Sequence, residues 1–409
     1  MGQLRLTKLP LCPTWHAKSS RDWVSDVAEP GEMTLLPLPY HISPLSPTTD
    51  EWDPYVRVRV WPTSAVEELV EAVRHLWVGE EELAGEKCAE KSDEDNEIVK
   101  FRRHWESCYG DDYGSFEGTT VVPPMLHTFG STPGYATPDY TLQIFSIKVA
   151  ELKEGLQWPL RVYGMIGTRD SIDPRRNLLF HRTRDNCQTI TEGVPYLLLT
   201  GPSRAVVLID PITFEVQLKA RGRTESEDRE LCFNILTTQH ASGYVGGPPR
   251  IFTNYLSCNQ SKLEFAFAVL TMSVEATIRV EIVDGSWPEN LGVVLTARTA
   301  SIDHARILLL DSQVGRMHIG DSGVIQLSRR VVCVELSGEL KVNVVAFQVG
   351  GNFYSDVAKG SVVFTPKNAG ISCDKCDLGF CKLLVTVGWS LLAPVEDEPW
   401  GRPLRYTRT

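Results

Sequence analysis

The chain repeats a pattern of residues at a spacing of about 125 to 130 positions, and this repeat constrains its fold more than any single motif does. Ser-Ile-Asp at 171–173 precedes an apolar run, and Ser-Ile-Asp at 301–303 precedes another. Residues 203–210 recur in the same pattern as residues 328–335. Solenoid repeats have units of only roughly 20 to 50 residues. We therefore predict two β-modules in tandem, with chance similarity between β-rich segments as the alternative.

The alternation of apolar residues predicts the fold class. From about residue 142 onward, Val, Ile, Leu and Phe occur in short alternating runs that Gly, Pro, Asp and Asn interrupt. Such runs are typical of antiparallel strands in a sandwich or barrel. The predicted fold is all-β, with two tandem, duplicated antiparallel β-sandwich modules that follow an acidic, partly disordered region with one amphipathic helix. We place the modules at 141–272 and 273–393, and a C-terminal tail at 394–409.

Residues 1–100 are predicted to form a flexible acidic region. A helix is predicted near 64–78, because Ser64 and Glu67 match a capping box and because apolar residues recur on one face. These apolar residues are Val66, Leu69, Val70, Val73, Leu76 and Trp77. Residues 80–97 contain nine acids and two lysines, which is typical of a solvated or disordered linker.

The net charge of −11 belongs to the N-terminal third of the chain. Residues 1–140 hold 24 acidic and 12 basic residues, whereas the remainder holds 52 − 24 = 28 acidic and 41 − 12 = 29 basic residues. Because the β-modules are neutral, we expect no general nucleic-acid binding, although a local basic patch is not excluded.

The sequence also bears on location and on cofactors. No apolar run reaches the length of about 18 residues that a membrane-spanning helix needs, and the N-terminus does not resemble a secretory signal. We therefore predict no transmembrane segment, a cytoplasmic or nuclear location, and ten cysteines that are reduced thiols. No cofactor is predicted.

Several ordered segments resemble a known family. They are an aromatic-acidic segment at 101–117, Leu-Gln-Ile-Phe-Ser at 142–146, Arg-Thr-Arg-Asp-Asn-Cys-Gln at 182–188 and Val-Thr-Val-Gly-Trp-Ser at 385–390. Over roughly residues 100–393 the chain resembles the grass-protein family built around domain of unknown function 6598. The resemblance brings no established activity. It implies an association with ribosome-inactivating N-glycosidase domains, and hence a plant stress or defence setting.

One tetrad resembles the active site of ribosome-inactivating proteins, in which Glu-Ala-x-Arg lies on a helix. Residues 71–74 are Glu-Ala-Val-Arg and fall on the predicted helix. However, Glu71 and Arg74 have the spacing of an ordinary surface ion pair, and His75 stands where that family has an aromatic residue. We therefore assign no catalytic residue, and N-glycosidase activity by family association remains an alternative.

Three cysteines have a spacing that could hold zinc. They are Cys373, Cys376 and Cys381, and a structural zinc site would need a fourth ligand from a distant loop. Reduced cysteines around a hairpin turn explain the same residues without metal. No metal site is predicted.

Residues 101–140 form a predicted aromatic-acidic arm that is too apolar for a free linker. A structural role across a sandwich face or edge is favoured over a recognition surface. Arg204 and Arg329 recur in the two modules, with structural ion pairs as the alternative to binding. The candidate binding residues are Trp105, Tyr109, Tyr113, Phe116, Arg175, Arg176, Arg204 and Arg329.

These observations favour a non-catalytic binding or interaction protein of plants, in a stress or defence context, with an unknown protein partner. Two other classes stay open. The first is an enzyme, either an rRNA N-glycosidase or an unrecognised hydrolase. The second is a sugar- or lipid-binding β-sandwich.

Overall fold

The computed structural model describes residues 96–393, apart from 154, 240–243, 245–248, 313–316 and 351–352. For residues 349, 350, 353 and 354 it describes the backbone alone. The predicted helix near 64–78, the tetrad at 71–74 and the C-terminal tail lie outside the described residues.

The described residues contain one α-helix and sixteen strands. Helix α1 spans Glu97–Tyr113, and a short 3-10 helix spans Glu225–Glu227. The strands of the first half are β1 (Asp139–Leu152), β2 (Leu160–Arg169), β3 (Asn177–Arg182), β4 (Gln188–Ile190), β5 (Thr213–Ala220), β6 (Arg229–Thr237), β7 (Phe252–Ser257) and β8 (Ser261–Gly285). The second half adds β9 (Leu291–Thr299), β10 (Ile302–Ser312), β11 (Val324–Ile325), β12 (Val331–Glu335), β13 (Leu340–Gly350), β14 (Phe353–Phe364), β15 (Ala369–Asp377) and β16 (Cys381–Ser390).

The strands form three antiparallel sheets. The central sheet has the order β1-β8-β16-β15, and β7, β11 and β12 also pair with β8. The first outer sheet has the order β3-β2-β5-β6, with β4 paired to β2, and the second has the order β10-β9-β13-β14. The predicted all-β antiparallel fold is confirmed. When the four strands along each of these two paths are numbered in chain order, both outer sheets have the order 2-1-3-4. The tandem duplication stays a prediction.

Two hydrophobic cores lie on the central sheet and meet along β8. Leu263, Phe265 and Phe267 of β8 belong to the core under the first outer sheet. Ile278 and Val280, farther along the same strand, belong to the core under the second outer sheet. Burying a side chain of this size contributes about 1.5–3 kcal/mol to stability, so both cores depend on this strand.

The predicted boundary between 272 and 273 falls inside β8, which runs through it as a single strand. Its pairing with β1 is irregular at this point, where Met272 has a φ of 48°, in the left-handed region. Residues 196–209 are mostly apolar like the strands, yet they form an irregular segment with isolated bridges to β1. Pro202 within it lacks the N–H that a regular ladder requires.

One disulfide joins Cys232 of β6 to Cys258, directly after β7. The expectation that all cysteines are thiols is wrong for this pair. The two Cα atoms are 5.2 Å apart, within the range that a disulfide can bridge. The expectation rested on the predicted cellular location, whereas the pairing follows from two strand ends that the fold brings together.

No helix in the described part of the chain has the length and apolar character that crossing a membrane requires.

Candidate functional site

Helix α1 anchors the aromatic arm against the first half of the fold. It begins where the side-chain oxygen of Asn96 accepts a hydrogen bond from the backbone N–H of Ile98 at 3.3 Å. It ends at Gly114, whose φ of 79° favours glycine. Trp105 is 1% exposed, and its indole Nε1 donates to the carbonyl of Pro174 at 2.9 Å. The helix is therefore fixed through its one tryptophan.

Two aromatic rings enclose the guanidinium of Arg169, at the end of β2. Its Cζ lies 4.1 Å from the ring centroid of Phe116 and 5.0 Å from that of Trp105. The rings of Trp105 and Phe116 pack edge to face, with centroids 5.5 Å apart. A cation over a ring face is attracted to it, and more strongly where water is excluded. The arm therefore acts as an aromatic cover over a buried charge.

Two tyrosines of α1 extend this cover toward the surface. Tyr109 packs against Trp105 at 5.8 Å and against Tyr113 at 5.9 Å between ring centroids, and both tyrosines are half-buried. The guanidinium of Arg175 lies 5.5 Å from the ring of Tyr113. Burial, with smaller contributions from the charges of Cys108 and Asp210, raises the pKa of Tyr109.

Beneath the cover lies an Arg–Glu–Arg cluster formed by Arg169, Glu215 and Arg176. Glu215 is fully buried on β5, and its Oε2 accepts from Nη2 of Arg169 at 2.8 Å and from Nε of Arg176 at 2.9 Å. Burial lowers the pKa of Arg169 to about 10, even though Glu215 opposes that change. Burial by itself would raise the pKa of Glu215, but the two guanidinium groups outweigh it and hold that pKa below its usual value. All three side chains are therefore buried as ions.

A second buried ion pair joins Arg204 to Asp170. Nη1 and Nη2 of Arg204 donate to the two carboxylate oxygens of Asp170, each at 2.7 Å, in the bidentate geometry that makes such pairs strong. Asp170 also accepts from the backbone N–H of Val207 at 2.9 Å. Burial would lower the pKa of Arg204, but the charge of Asp170 outweighs it and raises that pKa.

Asp173 links the arm to the charged turn that precedes β3. It accepts from Nε of Arg175 at 2.9 Å and from the hydroxyl of Thr120 at 2.7 Å. Burial would raise its pKa, but the hydrogen bonds from Arg175 and Thr120 hold it below the usual value. The arm is thus held to this turn by charge-assisted hydrogen bonds.

Glu275, on β8, connects three parts of the chain. Its Oε1 accepts from the backbone N–H of Met125 in the arm, and its Oε2 from that of Ala205, both at 2.7 Å. It is 3% exposed, and burial raises its pKa above the usual value. Arg204 and Glu275 border a cavity of about 20 Å³, which is near the space that one water needs.

Replacing Glu275 with Gln is expected to change how stability depends on pH. A raised pKa in the folded state means that the folded protein binds more protons than the unfolded chain above about pH 4.5, so stability falls as the pH rises. Between the unfolded and the folded pKa, wild type should lose about 1.4 kcal/mol per pH unit relative to Glu275→Gln. Urea unfolding of both proteins from pH 4.5 to pH 8 measures this difference. Parallel pH profiles would contradict the prediction.

Comparison with known sequences supplies the family. The model of the domain of unknown function DUF6598 matches residues 141–387, which is more than half of the chain. The chain belongs to the DUF6598 family. No curated protein sequence matches it.

Solved structures show little likeness to this DUF6598 protein. Human GIVD cytosolic phospholipase A2 is 10% identical with a TM-score of 0.21, and the match covers 63% of this chain and 33% of that one. The pair of C2 domains from Extended-Synaptotagmin 2 is 9% identical with a TM-score of 0.22, and the match covers 67% of this chain and 99% of theirs. The chain thus spans about a third of the phospholipase.

In this DUF6598 protein the structure brings seven of the eight candidate binding residues together. Arg176 is part of the Arg–Glu–Arg cluster, and the aromatic candidates form the cover above it. Arg175 pairs with Asp173, and Arg204 pairs with Asp170. These contacts are structural, and a binding role for the seven residues stays a prediction.

Arg329 lies apart from the other candidates, in the second half of the fold. It is 2% exposed, and its Nη1 donates to the carbonyl of Ile144 on β1 at 2.7 Å. Arg329 joins the second half to the central sheet.

The three cysteines whose spacing could hold zinc lie in different surroundings. Cys373 on β15 is exposed, whereas Cys376 and Cys381 are buried in the second core. Burial raises the pKa of both buried thiols, to about 11 for Cys381. Within residues 96–393, as far as the structure describes them, no three His, Cys, Asp or Glu side chains are grouped so that they could hold a metal ion.

Sequence reasoning did not predict that Glu215 and Glu275 are buried. Both lie on strands whose core positions are taken by apolar neighbours, such as Phe214 and Val216 beside Glu215. The alternation along a strand therefore predicts that the acids are exposed. A sequence signal for their burial is absent, because Trp105, which covers the Arg169 partner of Glu215, and Met125, which donates to Glu275, are about 110 and 150 residues away from the two acids.

Proposed function

We propose that the protein is a non-catalytic interaction protein of plants that binds a protein partner in a stress or defence context. The observation that carries this proposal is a loop at residues 119–137, here called the display loop. It exposes large apolar side chains on a backbone that both halves of the fold hold in place. The plant setting is supported by the family resemblance, and a cytoplasmic or nuclear location is part of the proposal.

The display loop is fixed to the central sheet by hydrogen bonds. Met125 donates to Glu275, and the backbone N–H of His127 donates to Oγ of Ser390 at 3.0 Å. The hydroxyl of Thr128 donates to the carbonyl of Trp389 at 2.8 Å. These contacts link residues more than 100 positions apart, so the conformation of the loop is set by the folded protein.

The same loop turns apolar side chains toward the solvent. Phe129 is 59% exposed, Val121 is 49% exposed and Tyr135 is 41% exposed. Aromatic anchors dominate the energy of many protein interfaces, and a loop already held in one conformation loses little entropy on binding. The display loop therefore has the properties of a preorganised protein-binding surface.

The burial of the candidate arginines favours the display loop, and not these arginines, as the protein-binding surface. Arg175, Arg176 and Arg204 are less than 10% exposed and are engaged by carboxylates of the same chain. A partner that paired with them would have to displace those carboxylates and the aromatic cover. The display loop needs no such rearrangement.

Replacing Phe129 with Ala is expected to remove a bound partner. Full-length protein would be used to capture partners from plant extract, with a known plant complex recovered in parallel. Losing an aromatic anchor at an interface costs about 2 kcal/mol or more, so recovery of the partner should fall at least about thirtyfold. Tyr255→Ala is the matched control, because Tyr255 is 52% exposed on β7 and lies outside the display loop.

Two outcomes would count against this proposal. One is that no partner is recovered although the control complex is. The other is that Phe129→Ala and Tyr255→Ala recover the partner equally well. The N-glycosidase alternative is tested separately by adenine release from ribosomes, and release that Glu71→Ala abolishes would replace the interaction proposal.

A further inference from the structure

The turn between β7 and β8 contains a motif to which the interaction function gives no role. Residues 259–261 are Asn-Gln-Ser, which matches the acceptor motif for N-linked glycosylation, Asn-x-Ser/Thr with x other than proline. No other position in the sequence matches this motif. A three-residue motif arises easily by chance, so its meaning depends on where the fold places it.

The fold places the acceptor asparagine on the surface. The backbone N–H of Cys258 donates to the carbonyl of Ser261 at 2.8 Å, and this bond closes a hairpin turn between the two strands. Asn259 and Gln260 form the tip of the turn, and Asn259 is exposed. The carbonyl of Gln260 accepts from the backbone N–H of Lys153 at 2.9 Å, which anchors the turn. A large group on the side-chain nitrogen of Asn259 therefore has room in the solvent.

The residue before the motif belongs to the disulfide. Cys258 is joined to Cys232, and both cysteines lie in the first core. Disulfides form and persist in oxidising compartments such as the lumen of the endoplasmic reticulum, and they are rare in the cytosol. The acceptor motif is likewise used in secreted proteins. Passage through one compartment therefore accounts for both the disulfide and the motif beside it.

The burial of Ser261 indicates when a glycan would be attached. Ser261 is 0% exposed, and its hydroxyl donates to the carbonyl of Leu231 at 2.6 Å. A transferase that recognises the hydroxyl of the motif cannot reach it in the folded protein. The transfer must therefore precede the pairing of β8 and the closure of the disulfide, as it does for a chain that is modified while it enters the lumen.

We propose that Asn259 carries an N-linked oligosaccharide. In the transfer, Nδ2 of Asn259 attacks C1 of a sugar that is held on a lipid-linked diphosphate. The N–C bond forms while the C–O bond to the diphosphate breaks. The amide gives one proton to a base of the transferase, and the lipid diphosphate leaves. Nothing is oxidised or reduced, so the lipid-linked sugar is the one co-reactant.

The glycan and the display loop are separate features. Glu275, which holds the display loop, lies about 14 residues along β8 from Ser261, up to roughly 45 Å of extended strand. The glycan thus leaves the loop open to a partner, and the inference does not rest on the interaction function. It does require the secretory pathway in place of the cytoplasmic or nuclear location, so one experiment decides between the two.

The position of the glycan also bears on the edge of the central sheet. Among the described strands, β7 pairs with β8 alone, so its other edge offers backbone groups to another chain. Tyr255 of β7 is 52% exposed and adds apolar surface there. A bulky, hydrated glycan at the end of β7 would hinder association along this edge.

Peptide mapping of the full-length protein expressed in plant cells tests the proposal. The tryptic peptide of residues 251–262 contains both Asn259 and Cys258. We expect this peptide to carry an oligosaccharide, and peptide N-glycosidase should remove it and leave aspartate at position 259. Without reduction, the same peptide should stay joined to the tryptic peptide of residues 230–250, which contains Cys232.

Two variants sharpen the test. Asn259→Gln removes the acceptor but keeps a polar side chain on an exposed turn, so the glycosylated form should be lost from an electrophoresis gel while the circular dichroism spectrum is unchanged. Asn254→Gln is the matched control, because Asn254 lies on β7 in the same peptide but outside the motif. It should retain the glycan in full.

The proposal would be overturned by any of three results. The peptide of residues 251–262 could be recovered unmodified and with a free thiol, which would support the cytoplasmic or nuclear location. It could lack an oligosaccharide although it is joined to the peptide of residues 230–250, so that the motif stays unmodified in an oxidising compartment. A glycosylated form could also persist in Asn259→Gln, which would assign the glycan to another residue.

Discussion

Glu215→Gln is expected to lower the free energy of unfolding by about 3–5 kcal/mol, the cost of leaving buried charges without their partner. The amide cannot neutralise the guanidinium groups of Arg169 and Arg176, which remain buried under the aromatic cover. Urea unfolding monitored by circular dichroism measures the loss. Glu192→Gln, an exposed acid in a turn, is the matched control and should change stability by less than about 0.5 kcal/mol.

A triple variant separates the loss of the charge from the loss of packing. Replacing Arg169 and Arg176 with Met together with Glu215→Leu removes all three ions and keeps a similar volume. Buried ion clusters can often be replaced in this way at little cost, so the triple variant should be more stable than Glu215→Gln. A triple variant that is less stable would show that the cluster itself stabilises the fold.

Trp105→Ala is expected to cost about 3–5 kcal/mol, because it removes a fully buried aromatic side chain and leaves a cavity. It also leaves the carbonyl of Pro174 without its indole donor and opens the cover over Arg169. Circular dichroism in urea gives the free energy, and amide hydrogen exchange should show α1 becoming less protected.

Trp105→Phe is the matched variant for this prediction. It keeps a ring near Arg169 but loses the Nε1 donor, so its loss should be smaller than that of Trp105→Ala and near the value of about 1–3 kcal/mol for an unsatisfied buried acceptor. A loss below about 1 kcal/mol for Trp105→Ala would mean that the arm is not part of the folded core.

Most of the strands could be predicted from sequence, because they depend on neighbours along the chain. The alternation in residues 213–220 identifies β5, and its apolar positions Phe214, Val216 and Leu218 are buried as the pattern predicts. The segment at 196–209 has a similar composition, yet it is not a regular strand. There, Pro202 and distant contacts with β1 outweigh local propensity.

The candidate site was partly predicted. The aromatic residues of the arm were expected to pack on the sandwich, because five rings in a short acidic segment are costly to expose, and Trp105 and Phe116 are buried there. What they cover was not predicted. Arg169 and Glu215 are 46 residues apart, and a strand pattern shows only which face a side chain is on, not what lies above that face.

Local sequence patterns were enough to predict the all-β class, most of the strands and the resemblance to the family. Each of these depends on local periodicity or on ordered short segments, so it can be read without knowing distant contacts. Only the tertiary structure decided that Glu275 joins the arm to both halves, that Arg204 pairs with Asp170, and that β8 is continuous through the predicted boundary. The physical reason is that burial and ion pairing depend on groups far apart in sequence, whose approach is set by the packing of whole sheets.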